Sequence, residues 1–154
     1  MKKFTISLFA LISANVMAVS SIERPQENIP PKLRFGVFEV KEKGSRLLES
    51  NQFSVSNKEH KLCWAAFDMP FDVSNTVIEV FYSPKKAKFI DTIQQVSTSE
   101  DGKTHTVTSK LPSQQGKFIE RCWTFDKNDP LGKYSVDIQV NDIIFPTQYF
   151  EVTK

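Results

Sequence analysis

Lys133-Tyr134-Ser135-Val136-Asp137-Ile138-Gln139-Val140 alternates without a break: Tyr134, Val136, Ile138 and Val140 take one side of an extended chain, and Lys133, Ser135, Asp137 and Gln139 the other. Successive side chains of a strand point to opposite faces, so this run belongs to a sheet with one buried and one wet surface. Asn141-Asp142 follows as a two-residue turn lacking the usual glycine. Ile143 to Val152 then returns as a partner strand, interrupted at Pro146, which has no N–H to give a ladder. The chain is expected to end in a hairpin.

Upstream, Asp129-Pro130-Leu131-Gly132 sets proline second and glycine fourth, as a type I turn prefers, and is expected to reverse the chain after a strand from Phe118 to Phe125. Glu100-Asp101-Gly102-Lys103 reads as a hairpin turn leading into Thr104 to Leu111. Leu33 to Val40, Lys61 to Phe67 and Val77 to Tyr82 complete the strand set. In Lys88 to Ser97, Phe89, Ile93 and Val96 fit a helical stripe, whereas the Thr and Val content and the turn that follows favour a strand, the reading taken. Short strands at this spacing predict an all-β protein, an antiparallel sandwich of about 7–9 strands. Phenylalanine supplies 13 of the 18 aromatic residues, which suits a core, since its ring needs no hydrogen-bond partner.

The N-terminus carries Lys2 and Lys3 ahead of an apolar run from Phe4 to Met17, closed by Val16-Met17-Ala18. This is the pattern of a signal peptide spanning residues 1–18, too short for a bilayer span of about 20 residues. No cysteine stands near the cleavage point to take a lipid, so the mature form is expected to be soluble, without a membrane span. Residues 19–32, with Pro25, Pro30 and Pro31, predict an extended segment, and 33–154 the β domain. The leader carries two of the 20 basic residues and none of the 18 acidic ones, so the mature chain balances at 18 of each and nucleic acid is not an expected partner.

Two cysteines in an exported chain predict one disulfide, Cys63 to Cys122. Each is followed by tryptophan. In the later strand Ile119, Trp123 and Phe125 form the apolar set, so Cys122 should face outward with Glu120 and Thr124. If Trp64 also points inward, the bond joins neighbouring strands on the outer face and the two indoles lie close in the core; a bond across the core is the alternative. A redox role has no Cys-x-x-Cys to support it.

Catalytic signals are sparse. His60 and His105 are the only histidines, too few for a zinc site, and three residues along a strand put His60 and Cys63 on opposite faces. Ser83-Pro84-Lys85-Lys86 matches Ser-x-x-Lys without its companion motifs, and Asp126-Lys127-Asn128-Asp129 starts like a calcium loop until Pro130. No enzyme activity, metal or cofactor is expected. Two surface features remain as binding candidates. Lys85, Lys86 and Lys88 form a basic cluster suited to an anionic envelope component, although solvated loops often look the same. Thr104, Thr106 and Thr108 form a row that offers a flat recognition face, although β propensity alone favours threonine there.

Ile29-Pro30, Arg34-Phe35-Gly36, Pro130-Leu131-Gly132-Lys133-Tyr134 and Phe150-Glu151-Val152 together resemble an uncharacterised family of exported bacterial domains with an immunoglobulin-like β-sandwich. The closing Gly-x-Tyr, alternating strand and Phe-x-Val is also similar to the last hairpin of macroglobulin-type modules. The resemblance implies a fold and an exported location. Immunoglobulin domains proper place a tyrosine two residues before the second cysteine, and Glu120 holds that place here. The function expected is that of an exported, non-catalytic binding or interaction module of the bacterial envelope, periplasmic or secreted, with an envelope protein or glycan as partner. An inhibitor of an envelope or extracellular hydrolase, or a structural subunit of a surface assembly, is the alternative.

Overall fold

The computed structural model describes residues 29–90 and 94–154. Among them the chain forms β1 (Lys32–Lys41), β2 (Gly44–Leu47), β3 (Gln52–Ser54), β4 (His60–Phe67), β5 (Asn75–Tyr82), β6 (Gln95–Thr98), β7 (Thr104–Leu111), β8 (Phe118–Trp123), β9 (Gly132–Val140), β10 (Ile143–Ile144) and β11 (Gln148–Thr153). The seven strands of six or more residues correspond to the strands read from the sequence; β6 is what remains of the strand read over 88–97, β10 is the start of the returning strand read from Ile143, and β2 and β3 are short additions.

A smaller sheet has the order β2-β1-β4-β8, and a larger one β3-β11-β9-β5-β7-β6, with β10 on β9. Every pairing is antiparallel except β3 against β11. The partition is that of an immunoglobulin-like sandwich: the first long strands, β1 and β4, sit with β8, and the last two, β9 and β11, sit with β5 in the facing sheet.

Alternation decides which face each strand buries. In β9, Tyr134, Val136, Ile138 and Val140 are all buried, and in β4 Leu62, Trp64 and Ala66 face them from the other sheet. Rings fill one end of the core. Phe125 lies 5.3 Å from Phe53 and 5.5 Å from Phe150, and Phe150 stacks on Tyr134 at 5.1 Å. Full burial of each such side chain contributes about 1.5–3 kcal/mol.

Several connections differ from the expectation. The turn after β8 closes over 126–129 rather than 129–132, through Asp129 N–H to the Asp126 carbonyl at 3.1 Å. The aspartates explain the shift: the Asp129 carboxylate accepts from Asp126 N–H at 2.7 Å, and the Asp126 carboxylate from Asn128 N–H at 2.7 Å. These oxygens therefore serve backbone donors, and the segment passes from the small sheet to the large one. Asn141 does the work of the missing turn glycine, adopting φ 51°. Residues 88–90 are not strand, and pairing begins only at Gln95, in β6; 91–93 lie outside the described residues, as do the leader and the Pro-rich segment up to 28.

The comparison with immunoglobulin domains also needs correcting. Cys122 lies in β8, not in the strand where such domains carry their second cysteine. That strand corresponds to β9, and near its start the Tyr134 hydroxyl donates to the Pro130 carbonyl at 2.8 Å, four residues upstream. This is the tyrosine corner, with Val136 two residues on in the cysteine's place. Burial first, and then the charge of Asp129, pushes the Tyr134 phenol far above its usual range, so it keeps its proton and goes on donating.

Candidate functional site

The disulfide joins neighbouring strands. Cys63 and Cys122 are directly opposed in the β4–β8 register, with Cα atoms 4.0 Å apart, and Cys122 is exposed on the outer face. The outward reading of Cys122 and the inward reading of Trp64 both hold, and both indoles turn their N–H groups to one acceptor in the core. Trp64 Nε1 donates to Glu79 Oε1 at 2.6 Å and Trp123 Nε1 donates to the same oxygen at 2.7 Å. Glu79 comes from β5 in the opposite sheet and is fully buried. Arg121 Nε lies 3.4 Å from Glu79 Oε2, and its guanidinium sits 4.3 Å from the Trp123 ring centroid. An ionic and hydrogen-bonded staple thus ties β4 and β8 of the small sheet to β5 of the large one.

A second buried polar group is His105, inside the large sheet. Phe89 stacks on its ring at 4.4 Å, Thr98 Oγ1 lies 3.1 Å from Nδ1, and Ser83 Oγ lies 3.5 Å from Nε2. A serine next to a histidine invites a catalytic reading, but the geometry serves structure. The Ser83 hydroxyl donates to the Lys85 carbonyl at 2.7 Å, the far ring nitrogen meets a threonine rather than a carboxylate, and the ring is fully buried. Burial lowers the His105 pKa; the Asp101 charge and the Gly102 backbone oppose that. Among the described residues no three His, Cys, Asp or Glu side chains converge as a metal site.

Thr104, Thr106 and Thr108 do form a half-exposed row on the outer face of the large sheet, alternating with the buried His105, Val107 and Ser109. Lys85, Lys86 and Lys88 are exposed in the loop after β5. Ser83 N–H and Ala87 N–H pin that loop to the carbonyls of Lys103 and Gly102, at 2.9 Å each. The structure therefore brings the lysines to the end of the sheet where the threonine row begins.

At the other edge of the same face lies a groove of about 600 Å³. Register builds it: Lys133 pairs with Glu151, Glu151 with Gln52, and Ser135 with Tyr149. Tyr149 is 68% exposed, although an aromatic ring on a sheet would ordinarily be covered. Asn51 Nδ2 holds the Tyr149 carbonyl at 3.1 Å, and Gln52 Nε2 holds the Glu151 carboxylate at 3.3 Å. The result is an open trough with one aromatic platform, two planar amides, a cation and an anion. Between trough and threonine row, Tyr82 donates to Asp137 Oδ2 at 3.0 Å and Thr147 to Asp137 Oδ1 at 2.6 Å. The Asp137 bond raises the Tyr82 phenol pKa first, and burial adds to it.

Residues 33–153 match the model of the PM0630 beta sandwich domain family. The chain belongs to that family. The match runs from β1 to the last residue of β11, so it takes in both sheets, the staple and the trough. A relative, the uncharacterized protein PM0630 of Pasteurella multocida (strain Pm70), is 29% identical over 153 residues, 97% of this chain and 96% of its own. Among solved structures, the immunoglobulin-like protein PA1606 of Pseudomonas aeruginosa aligns with TM-score 0.46 at 12% identity, covering 82% of this chain and 99% of that one. The alkylpurine DNA glycosylase AlkC of Pseudomonas fluorescens, bound to DNA containing an abasic site analog, gives TM-score 0.41 at 10% identity, covering 80% of this chain and 30% of that one.

Sequence reading missed the trough and the staple for different reasons. Tyr149, Glu151 and Lys133 are ordinary wet-face residues, and only the parallel pairing of β3 makes a wall beside them. Glu79 and Arg121 do leave a trace in the sequence. Each sits at the inward parity of its strand, between Val77 and Phe81 and between Ile119 and Trp123, and two core indoles each need an acceptor.

Proposed function

We propose that this member of the PM0630 beta sandwich domain family is an exported, non-catalytic binding module of the cell envelope. It engages an envelope protein or glycan through the outer face of its large sheet. The observation that carries the reading is the trough at Tyr149: an exposed aromatic ring bordered by Asn51, Gln52, Lys133 and Glu151. A ring of this kind offers apolar area at low entropic cost, and the amides and charges offer directional partners. Such a surface suits an extended ligand laid along the sheet, because a trough this open does not enclose a small molecule. Export rests on the leader read at residues 1–18 and on the disulfide.

The test places a photo-crosslinking amino acid at Tyr149, at Thr106 or, as a control, at Arg46 on the small sheet, in intact producing cells. The reading expects a discrete protein or glycan adduct from position 149, a weaker one from 106 and none from 46. Equal labelling at all three positions, or none, sinks it.

A further inference from the structure

We propose that the Cys63–Cys122 disulfide is a thiol-exchange site, at which the thiolate of a reducing partner attacks Cys122 and displaces Cys63. It lies on the outer face of the small sheet, whereas the Tyr149 ring stands on the outer face of the large one.

Three observations carry this. The first is access. β8 is the end strand of its sheet; Gln114 bridges to its first residue, Phe118, and bonds Glu120, but beyond Cys122 no described strand stands in the way, and Cys122 is exposed while Cys63 is only 8% exposed. A nucleophile approaches a disulfide sulfur from the side away from the sulfur that leaves. For Cys122 that side is the open edge. For Cys63 it is β1, where Gly36 is the register partner and Leu47 fills the space a side chain at 36 would take, its Cδ1 2.6 Å from that position.

The second is the surroundings of the bond. A recess of about 250 Å³ lies over it, with Phe38, Val40, Lys61 and Glu120 among its lining residues. Lys61, two residues before Cys63 on the same face of β4, brings a cation to the recess in which the Cys63 thiolate would form, with Glu120 as the anion on the Cys122 side.

The third is that the fold holds these strands twice. On the inner face of the same two strands, the Trp64 and Trp123 indoles are clamped by Glu79. When the covalent bond opens, the clamp and the six-residue β4–β8 register keep the sulfurs opposed, so the pair can close again.

The partner thiolate bonds to Cys122 Sγ, the Cys63–Cys122 bond breaks, and its electron pair leaves on Cys63 Sγ. A second thiol of the partner then attacks the mixed disulfide, releasing the Cys122 thiolate. The partner is oxidised to a disulfide, and this chain gains two electrons and, once both thiolates are protonated, two protons.

The test exposes the oxidised full chain to reduced glutathione under native conditions, quenches with acid, blocks free thiols with N-ethylmaleimide and maps the peptides. The expected result is glutathione on Cys122 at least tenfold over Cys63, with maleimide on Cys63. The wavelength of maximum tryptophan emission should be unchanged by full reduction, and native fold and disulfide should return on air oxidation. Lys61→Gln should slow adduct formation severalfold without moving the selectivity. A dithiol protein carrying Cys-x-x-Cys, used in place of glutathione, distinguishes the source. If it leaves both cysteines free faster than glutathione forms its adduct, the partner is a protein dithiol; if glutathione is the faster, it is a small thiol. Failure to react until the protein is denatured, equal labelling of the two cysteines, or unfolding on reduction overturns the proposal.

Discussion

Glu79 shows how much rests on one side chain. A single buried carboxylate oxygen takes two indole N–H bonds, while the other lies beside Arg121 Nε. In Glu79→Gln the amide oxygen can still serve the indoles, but the NH2 then confronts the guanidinium. Breaking a buried pair in this way costs about 3 kcal/mol, seen as a lower urea midpoint at unchanged slope. His105 gives the second prediction at this scale. Its pKa in the folded chain is lowered from 6.5, chiefly by burial. Between that lowered value and 6.5 the unfolded chain therefore binds more protons than the native one. The neutral ring's contribution is complete above 6.5 and is lost as pH falls through the window, with a slope of at most about 1.4 kcal/mol per pH unit. Urea titrations from pH 7.5 to 5 should show wild type losing stability faster than His105→Gln; parallel curves would contradict this. Neither residue stood out in the sequence, because reading alternation for apolar side chains passes over a polar one at inward parity. In β5 the inward set Val77, Glu79 and Phe81 is no more apolar than the outward set Ile78, Val80 and Tyr82.

Elements were far more legible than residues, and the reason is length. β9 and β7 show several full periods of alternation and were read within a residue of their bounds, whereas β2, β3 and β10 have four residues or fewer and too little pattern to count. Pairings were legible only where a turn signal joins neighbours, as at Gly102 between β6 and β7. The parallel bond of β3 to β11 links residues almost a hundred apart, and nothing local records it. The placement of the disulfide followed from strand parity at Cys122. It ties β4 to β8 across a separation of 59 residues, worth about 4 kcal/mol in the chain-entropy model. Because the Glu79 clamp holds the same two strands, Cys63→Ala/Cys122→Ala is expected to lose roughly that amount and still fold. The check is a urea midpoint shift together with an unchanged tryptophan spectrum; a molten or aggregated double variant would show that the clamp alone does not hold the strands.

At the scale of the molecule, the two sheets present different chemistry on their outer faces and meet through the core and at one edge, where Ser54 N–H of β3 donates to His60 Nδ1 of β4 at 3.2 Å. The large sheet offers the trough, the threonine row and the lysine loop; the small one offers the disulfide and a free edge. Tyr149 stands on β11 and Cys122 on β8, so the phenylalanine cluster and the staple lie between them. Side chains that share no partner contribute additively to stability, within about 0.5 kcal/mol. Tyr149→Ala removes an exposed ring and should shift the urea midpoint little, by about 0.5 kcal/mol or less. Adding it to Cys63→Ala/Cys122→Ala should produce the sum of the separate losses, and the crosslink from the trough should form equally in oxidised and reduced protein. A coupling above about 1 kcal/mol, or a crosslink that appears in only one redox state, would mean that opening the small sheet reshapes the large one through the Glu79 staple. The triple variant with Glu79→Gln added then tests that path: coupling that vanishes in it runs through the staple, and coupling that survives runs through the rings or the β3–β4 edge.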